Sequence, residues 1–462
     1  MNSAPPSIAA NIKAAREALS ALLSAHPEIE FVDAVIADIA GTLRGKRIPA
    51  ADAVKLFESG MQIPADLHLM DVRGEMMNPM GRGFSDGDPD GNAWPISSTI
   101  MQVWGAAPPR AQMLMDFRDT KGEPLAHDPR AILQRVLARF KELDLTPVAA
   151  HELEFYLIDL KRDAAGRPLP PINPLSGARE NTPSVYGIED LDRYQAFLTA
   201  LNEAAAMQRV PLSAASKEYA PGQFEANLHH QEDALAASDH AIFLKQAVKA
   251  AALVQNCQAT FLAKPYPGKA GSGQHIHVSL RRADGRNVFD NGTEEGSEVL
   301  RFAVGGLAAL MPECMAFFAP NLNDYRRFAP DMFAPVNRRW GVNNRSAGLR
   351  VPIGPASARR IEHRAAAADA NPYLVMAAVL AGIHHGIVNR IDPGPPSAGN
   401  VSHEPSAVLP FSLEDALKSL EDAKVIPSYF GEEGAQLYRL TKAEELRRFR
   451  KIIGAEEYEW YL

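Results

Sequence analysis

Sulfur is scarce in this sequence. Two cysteines, Cys257 and Cys314, in 462 residues can build neither a disulfide framework nor a C-x-x-C zinc knuckle, so both read as small buried hydrophobes in a reducing compartment. Charge of one sign is never concentrated. Lys+Arg 48 against Asp+Glu 56 leaves a net charge of −8, and without a basic tract the chain lacks the footprint of a nucleic-acid binder. Long apolar runs are missing too: the longest, Leu374 to Ile383, stops at His384-His385, well short of the roughly 20 residues that cross a bilayer. The segment up to Glu30 scatters charge through its apolar positions, unlike a secretory leader. Neither a G-x-x-x-x-G-K-[ST] loop nor a G-x-G-x-x-G turn after a strand occurs, so any nucleotide must be held through metals. These absences predict a soluble, cytoplasmic protein acting on small molecules, with neither nucleic acid nor membrane as a partner.

What is present is an ordinary globular composition, 46% hydrophobic and 23% charged with 32 Gly and 35 Pro, in a chain long enough for up to three domains. An exposed amphipathic helix is expected within residues 1–27. Residues 31–39 read as a strand ending in a turn at Gly41, 52–59 as a short helix, and 113–117 as a second strand. The polar stretch 118–127 marks a boundary, because Asp128 and Pro129 then supply the N-cap and first position of a helix reaching Leu143. Helical patterns follow at 190–209, 231–258 and 298–314, and Pro/Gly-rich loops at 166–183 and 392–410. The expected organisation is a helical extension (1–27), a small domain (28–118) and a large α/β or α+β domain (128–462).

Chemistry is concentrated in strands. In HELEFYLI, from His151, alternation sets Glu152, Glu154 and Tyr156 on one face and Leu153, Phe155 and Leu157 on the other. HIHVSL repeats this with His275, His277 and Ser279, and RRIEHRA with Arg360, Glu362 and Arg364. One polar strand is a solvated edge; three of this composition line a cavity. KEYAPGQFEANLH adds Glu218 and Glu225, which a Pro221-Gly222 turn can return to one side. Arg326 and Arg327 in NDYRRF, with Arg345 and Arg350 in NNRSAGLRVP, supply cations for carboxylates or phosphates. Five glutamates and one or two histidines, without thiolate, favour Mg²⁺ or Mn²⁺ over zinc. Carboxylate-held metals plus arginines suffice for phosphoryl transfer.

Two motifs are set aside. DGDPDG, from Asp86, begins like a calcium loop but has Ser97 where a bidentate glutamate is required, and reads as a tight acidic turn. His384 and His385 point apart on a helix and read as packing residues.

Eight motifs in order, RGKRIP at 44, HELEFYL at 151, KEYAPGQFE at 217, TFLAKPYPGKAGSGQHIHVSL at 260, NDYRRF at 323, NNRSAGLRVP at 343, ARRIEHR at 358 and ANPYL at 370, resemble the glutamine synthetase family from about Phe31 to the C-terminus. The resemblance implies a small β-grasp-like N-terminal domain and a large catalytic α/β domain. It also implies a homo-oligomer, a dodecamer of two stacked six-membered rings with sites between neighbouring subunits. Residue by residue it makes Glu154, Glu218 and Glu225 ligands of a metal near glutamate, and Glu152, His275 and Glu362 ligands of a metal on the nucleotide phosphates. Gly271, Arg327, Arg345 and Arg364 would hold glutamate or the transferred phosphoryl group. Arg350 and Arg360 would serve ATP phosphates, and His277 and Ser279 would line the nucleotide pocket. The implied reaction is attack of the glutamate γ-carboxylate on ATP, giving γ-glutamyl phosphate, which an amine opens to an amide with Glu218 taking part.

The sequence departs from the family where the substrate amine is met. Phe333, in PDMFAP, stands where glutamine synthetases carry a flap glutamate that takes a proton from ammonium; phenylalanine can neither hold a cation by charge nor act as a base. Ala270 replaces an asparagine, which would loosen glutamate placement, and the segment from Ile391 has no tyrosine for adenylylation. These departures fit the branch that ligates glutamate to organic amines such as polyamines, ethanolamine or alkylamines. Phe333, with Trp94 or Trp340, would wall the alkyl group, while Asp71, Glu218 and Tyr186 receive the ammonium. An ammonium-using glutamine synthetase and a non-catalytic structural or sensor relative are the alternatives, the latter disfavoured because all six metal ligands are present.

Overall fold

A computed structural model describes residues 5–293 and 295–462. Two sheets organise them. The first contains β1 (Phe31–Ala37), β2 (Leu43–Pro49), β3 (Met61–Pro64), β4 (Asp90–Pro95), β5 (Met101–Gln102) and β6 (Arg110–Arg118), in the order β2-β1-β6-β4-β3 with β5 on β6. β1 runs parallel to β6 and antiparallel to β2. Its alternation sends Val32, Ala34 and Ile36 into the core, as a half-buried strand requires.

Helix α1 (Ala9–Ala25) is docked, not exposed as expected. Ile12, Ala15 and Leu19 enter the same core as Trp94 and Phe57, and Asn11 clamps the end of β4, donating to Pro95 O (2.7 Å) and accepting from Ser97 N (3.0 Å). The helix therefore belongs to the first sheet's core. The 52–59 helix is a 3₁₀ stretch, Ala50–Lys55, followed by one α turn, α2 (Leu56–Ser59).

Helix α3 (Pro129–Lys141) opens on the expected cap, Asp128 accepting from Arg130 N and Ala131 N. The second sheet follows: β7 (Thr146–Asp159), β8 (Leu212–Lys217), β9 (Gln223–Leu228), β10 (Cys257–Thr260), β11 (Gln274–Arg281), β12 (Trp340–Val342), β13 (Leu349–Val351) and β14 (Ile361–His363), in the order β12-β13-β14-β11-β7-β9-β8 with β10 on β7. Between and beyond these strands run α4 (Ile188–Arg193), α5 (Gln195–Met207), α6 (Ala234–Val254), α7 (Glu298–Phe318), α8 (Pro372–Asn389), α9 (Leu413–Glu421), α10 (Ile426–Phe430), α11 (Glu432–Phe449) and α12 (Ala455–Tyr461). The pattern read as one helix over 190–209 is two, broken at Tyr194, whose φ of −106° and ψ of 22° leave the helical region.

Helices α7 and α8 are long and apolar enough to cross a membrane, yet 61% and 78% of their most apolar windows are buried inside the protein. They are core helices. Their axes approach closely at glycines: a Cβ on Gly306 would lie 2.2 Å from Gly382 O, a contact only a residue without a side chain permits. α7 continues through Pro312 to Phe318, beyond the end its pattern suggested. His384 is buried in α8 with Nδ1 2.8 Å from the Tyr429 hydroxyl, a packing role.

Candidate active site

Residues directly opposite across neighbouring strands share a side of the sheet, so register alone assembles the site. Arg350 on β13 faces Glu362 on β14, and Glu362 faces His277 on β11. His275 on β11 faces Glu152 on β7, and Glu154 faces Glu225 on β9. Alternation then gathers these seven residues, with Ser279, on one face across five strands. Leu153, Phe155, Phe224, Ile276, Val278 and Ile361 point the other way and are buried. The hydrophobic half of each strand positions the polar half.

Glu152 is the hub. It contacts His275 Nδ1 at 2.9 Å and His277 Nε2 at 3.2 Å and accepts from Asn227 Nδ2 at 3.0 Å. Glu154 accepts from Gly273 N at 2.7 Å. Glu362 is held by Arg350 at 2.5 Å and by Arg364, with His275 Nδ1 3.9 Å away. Arg360 Nε approaches His277 Nδ1 at 3.2 Å. Glu218 lies just past β8, where the turn to Gly222 brings the chain back into β9, as the Pro-Gly pair predicted.

The electrostatics divide the carboxylates. Burial opposes the charge of Glu362, but Arg364, then His277, His275 and Arg350, hold it down to about 2. Burial likewise opposes Glu152, but hydrogen bonds to His275 and His277 keep it well below the usual range. Glu218 is pushed up to about 7 by burial and by Glu154, and Glu225 is pushed up by burial and by Glu152. Among the described residues, two groups of three have ligand atoms within 4.8 Å of one another, Glu152/His277/Glu362 and Glu152/Glu225/His275. Oxygen-rich, thiolate-free sets of this kind fit hard divalent cations.

Arginines border the face. Arg327 is 3% exposed, donates to Ala365 O at 3.3 Å, and is pressed against two glycines. A Cβ on Gly271 would lie 2.5 Å from Arg327 Cγ, and one on Gly273 would lie 2.8 Å from Arg327 Nη2. Arg345 is exposed; partial burial of its guanidinium works against its charge, and the neighbouring Tyr186, Glu362 and Glu152 favour it. The 270–271 backbone is fixed from both sides, by Tyr156 OH donating to Ala270 O (2.6 Å) and Gln223 Nε2 donating to Gly271 O (2.9 Å). Alternation signalled Tyr156, and the same rule applied two residues beyond Glu225 reaches Asn227; Gln223 had no signal in the sequence.

The expected amine wall is only partly assembled. Trp94 lies in the core of the first sheet and Trp340 in that of the second, its indole donating to Gly394 O (3.2 Å), so neither is a wall residue. Asp71 is engaged elsewhere: its carboxylate accepts from Arg73 N (2.9 Å) and Glu75 N (2.8 Å) and lies 3.7 Å from Arg448 of α11, beside a cavity of about 970 Å³ that contains none of the face's carboxylates. Phe333 is 68% exposed with φ of +53°.

A model described as the catalytic domain of glutamine synthetase matches residues 126–461. The gamma-glutamylputrescine synthetase PuuA of Escherichia coli (strain K12) is 39% identical over 442 residues, covering 95% of this chain and 93% of that protein. A glutamate–isopropylamine ligase of Pseudomonas sp is 33% identical over 434 residues, covering 92% and 93%. A solved GmaS/ADP complex superposes with a TM-score of 0.82 at 26% identity, over 96% of this chain and 99% of that one.

Proposed function

The chain belongs to the glutamine synthetase family, and from that premise we propose that it joins an organic amine, a polyamine, ethanolamine or an alkylamine, to the γ-carboxylate of L-glutamate. It is an ATP-dependent carbon–nitrogen ligase. The observation that carries the choice of amine is the 329–336 loop. Its only carboxylate, Asp331, is already occupied, accepting from Ser402 Oγ (2.9 Å) and paired with His403 (2.9 Å), and Phe333 stands exposed beside it. A loop without a free carboxylate offers ammonium no acceptor, whereas an exposed ring offers an alkyl chain an apolar cover.

Glu154, Glu218 and Glu225 would hold one metal ion and Glu152, His275 and Glu362 another, although in the metal-free fold the ligand atoms that cluster are those of Glu152 with His277 and Glu362 and of Glu152 with Glu225 and His275. Two or more Mg²⁺ or Mn²⁺ ions, when bound, neutralise phosphate oxygens and polarise the γ-phosphoryl group. Arg350 and Arg360 bind ATP phosphates, and His277 and Ser279 line the nucleotide. Gly271, Arg327, Arg345 and Arg364 orient glutamate so that its γ-carboxylate oxygen attacks the γ-phosphorus and ADP leaves. The amine nitrogen then attacks the acyl carbon, phosphate departs with the C–O electron pair, and Glu218 takes the nitrogen's proton. Asp71 faces away from this set within one chain, so its role requires a neighbouring subunit, in keeping with a dodecamer of two hexameric rings in the cytoplasm.

ATP-dependent phosphate release from glutamate, measured with putrescine, spermidine, ethanolamine, isopropylamine and ammonium, tests the reading. Saturation by an organic amine is expected; saturation by low ammonium with no response to any amine overturns it.

A further inference from the structure

Lys217 is a cation with no part in the reaction just described, yet it is 1% exposed and adjoins Glu218. Alternation turns its side chain away from the carboxylate face and beneath the turn that follows. There Nζ donates to Glu218 O at 2.9 Å and Ala220 O at 2.7 Å and lies 5.6 Å from the Phe224 ring centroid. A second tie reaches the turn from the 166–187 loop: Glu180 Oε2 accepts from Gly222 N at 2.8 Å. Gly222 has φ of +70°, and a Cβ there would meet Leu157 O at 2.5 Å. Burial disfavours the Lys217 charge and lowers its pKa, an effect that Glu180 and Asp190 partly offset. The backbone continues the link, with Tyr186 N donating to Lys217 O at 2.9 Å.

A buried ammonium is costly unless its donors and charge are matched. A neutral side chain would cover the same apolar surface but would leave the carbonyls of Glu218 and the fully buried Ala220 without these donors. We infer that Lys217 is a positioning residue: it clamps the Glu218–Gly222 turn from below, with Glu180 as counter-charge, and so fixes the direction of the Glu218 carboxylate toward the incoming amine. The inference rests on Glu218 receiving the amine, as proposed above.

The experiment compares two amines in the full-length enzyme with saturating metal, ATP and glutamate. Putrescine enters as a dication and must be held and deprotonated before it attacks; hydroxylamine is already neutral at the assay pH and loses its proton only after the C–N bond has formed. For Lys217→Met, kcat/KM for putrescine is expected to fall ~100-fold, the low end of what a misplaced proton acceptor costs, with hydroxylamine changed less than about threefold. Lys217→Arg should recover part of the loss. Glu180→Gln, which keeps the acceptor for Gly222 N but removes the charge, should show the same discrimination at roughly tenfold, and it decides the matter if Lys217→Met does not fold. Equal losses for both amines, or none for either, overturn the inference. Glu218→Asp, which keeps a carboxylate for the metal but draws it back by one methylene from the amine, separates the two levels. If it fails to discriminate between the amines, the reading of Glu218 is wrong; if it discriminates and neither Lys217→Met nor Glu180→Gln does, only the clamp is wrong.

Discussion

Glu154 and Glu225 stand directly opposite each other on β7 and β9, a juxtaposition of like charges that destabilises an antiparallel pair. On the proposed assignment a divalent cation held between the strands offsets this repulsion. In EDTA, Glu225→Gln should raise the melting temperature above that of wild type. With Mg²⁺ or Mn²⁺ added, wild type should gain more than the variant, and ligase turnover of Glu225→Gln should be abolished. Thermal melts with and without metal check both halves; a variant that stays active contradicts the assignment.

Glu218 sets a pH dependence whose sign follows from its upward displacement. Its protonated form is the one the metal-free fold prefers, so its contribution is present below the ordinary carboxylate value of 4.5 and is lost as pH rises toward about 7. The amount is on the order of 3 kcal/mol. In EDTA, Glu218→Gln should therefore become progressively more stable than wild type from pH 4.5 to 8, and the difference should shrink when metal is added. A constant difference across that range would show that Glu218 is not displaced.

The contact of Gly271 with Arg327 predicts a substrate-specific defect. Gly271→Ala should push the guanidinium aside and raise KM for glutamate by about tenfold, with the metal requirement unchanged. Steady-state kinetics with glutamate varied decides it.

Asn227 orients Glu152 through one hydrogen bond. Asn227→Ala should weaken metal-supported activity by about 10- to 100-fold, as loss of a partner behind a ligand does, without the complete loss expected of Glu152→Gln. Metal titrations of both variants provide the comparison.

Phe333→Glu restores a carboxylate to the loop and is expected to weaken alkylamine use relative to ammonium. An unchanged amine profile would show that Phe333 does not select substrate.

The carboxylate face was legible because period-2 alternation is a local rule: Glu152 and Glu154, and His275 and His277, declare their shared side within a few residues, and the Pro221-Gly222 turn announces the return to Glu225. What local rules cannot supply is long-range packing. Trp94 is taken out of a substrate's reach by the core it shares with α1, and Trp340 by the core in which its indole donates to Gly394 O. Lys217 carries no local signal, because the turn it caps and the loop bearing Glu180 meet only in the fold. Asp71 shows the same limit at the next level, since its loop turns toward Arg448 and not toward the face of its own chain.

The most direct test is competition. Wild-type enzyme supplied with ATP, glutamate and equimolar ammonium and putrescine, spermidine, ethanolamine or isopropylamine in turn yields a mixture whose composition, read by mass spectrometry, gives the ratio of kcat/KM values. The account predicts that at least one γ-glutamyl-amine exceeds glutamine by tenfold or more, about 1.4 kcal/mol of discrimination. Glutamine as the dominant product in every mixture would contradict it.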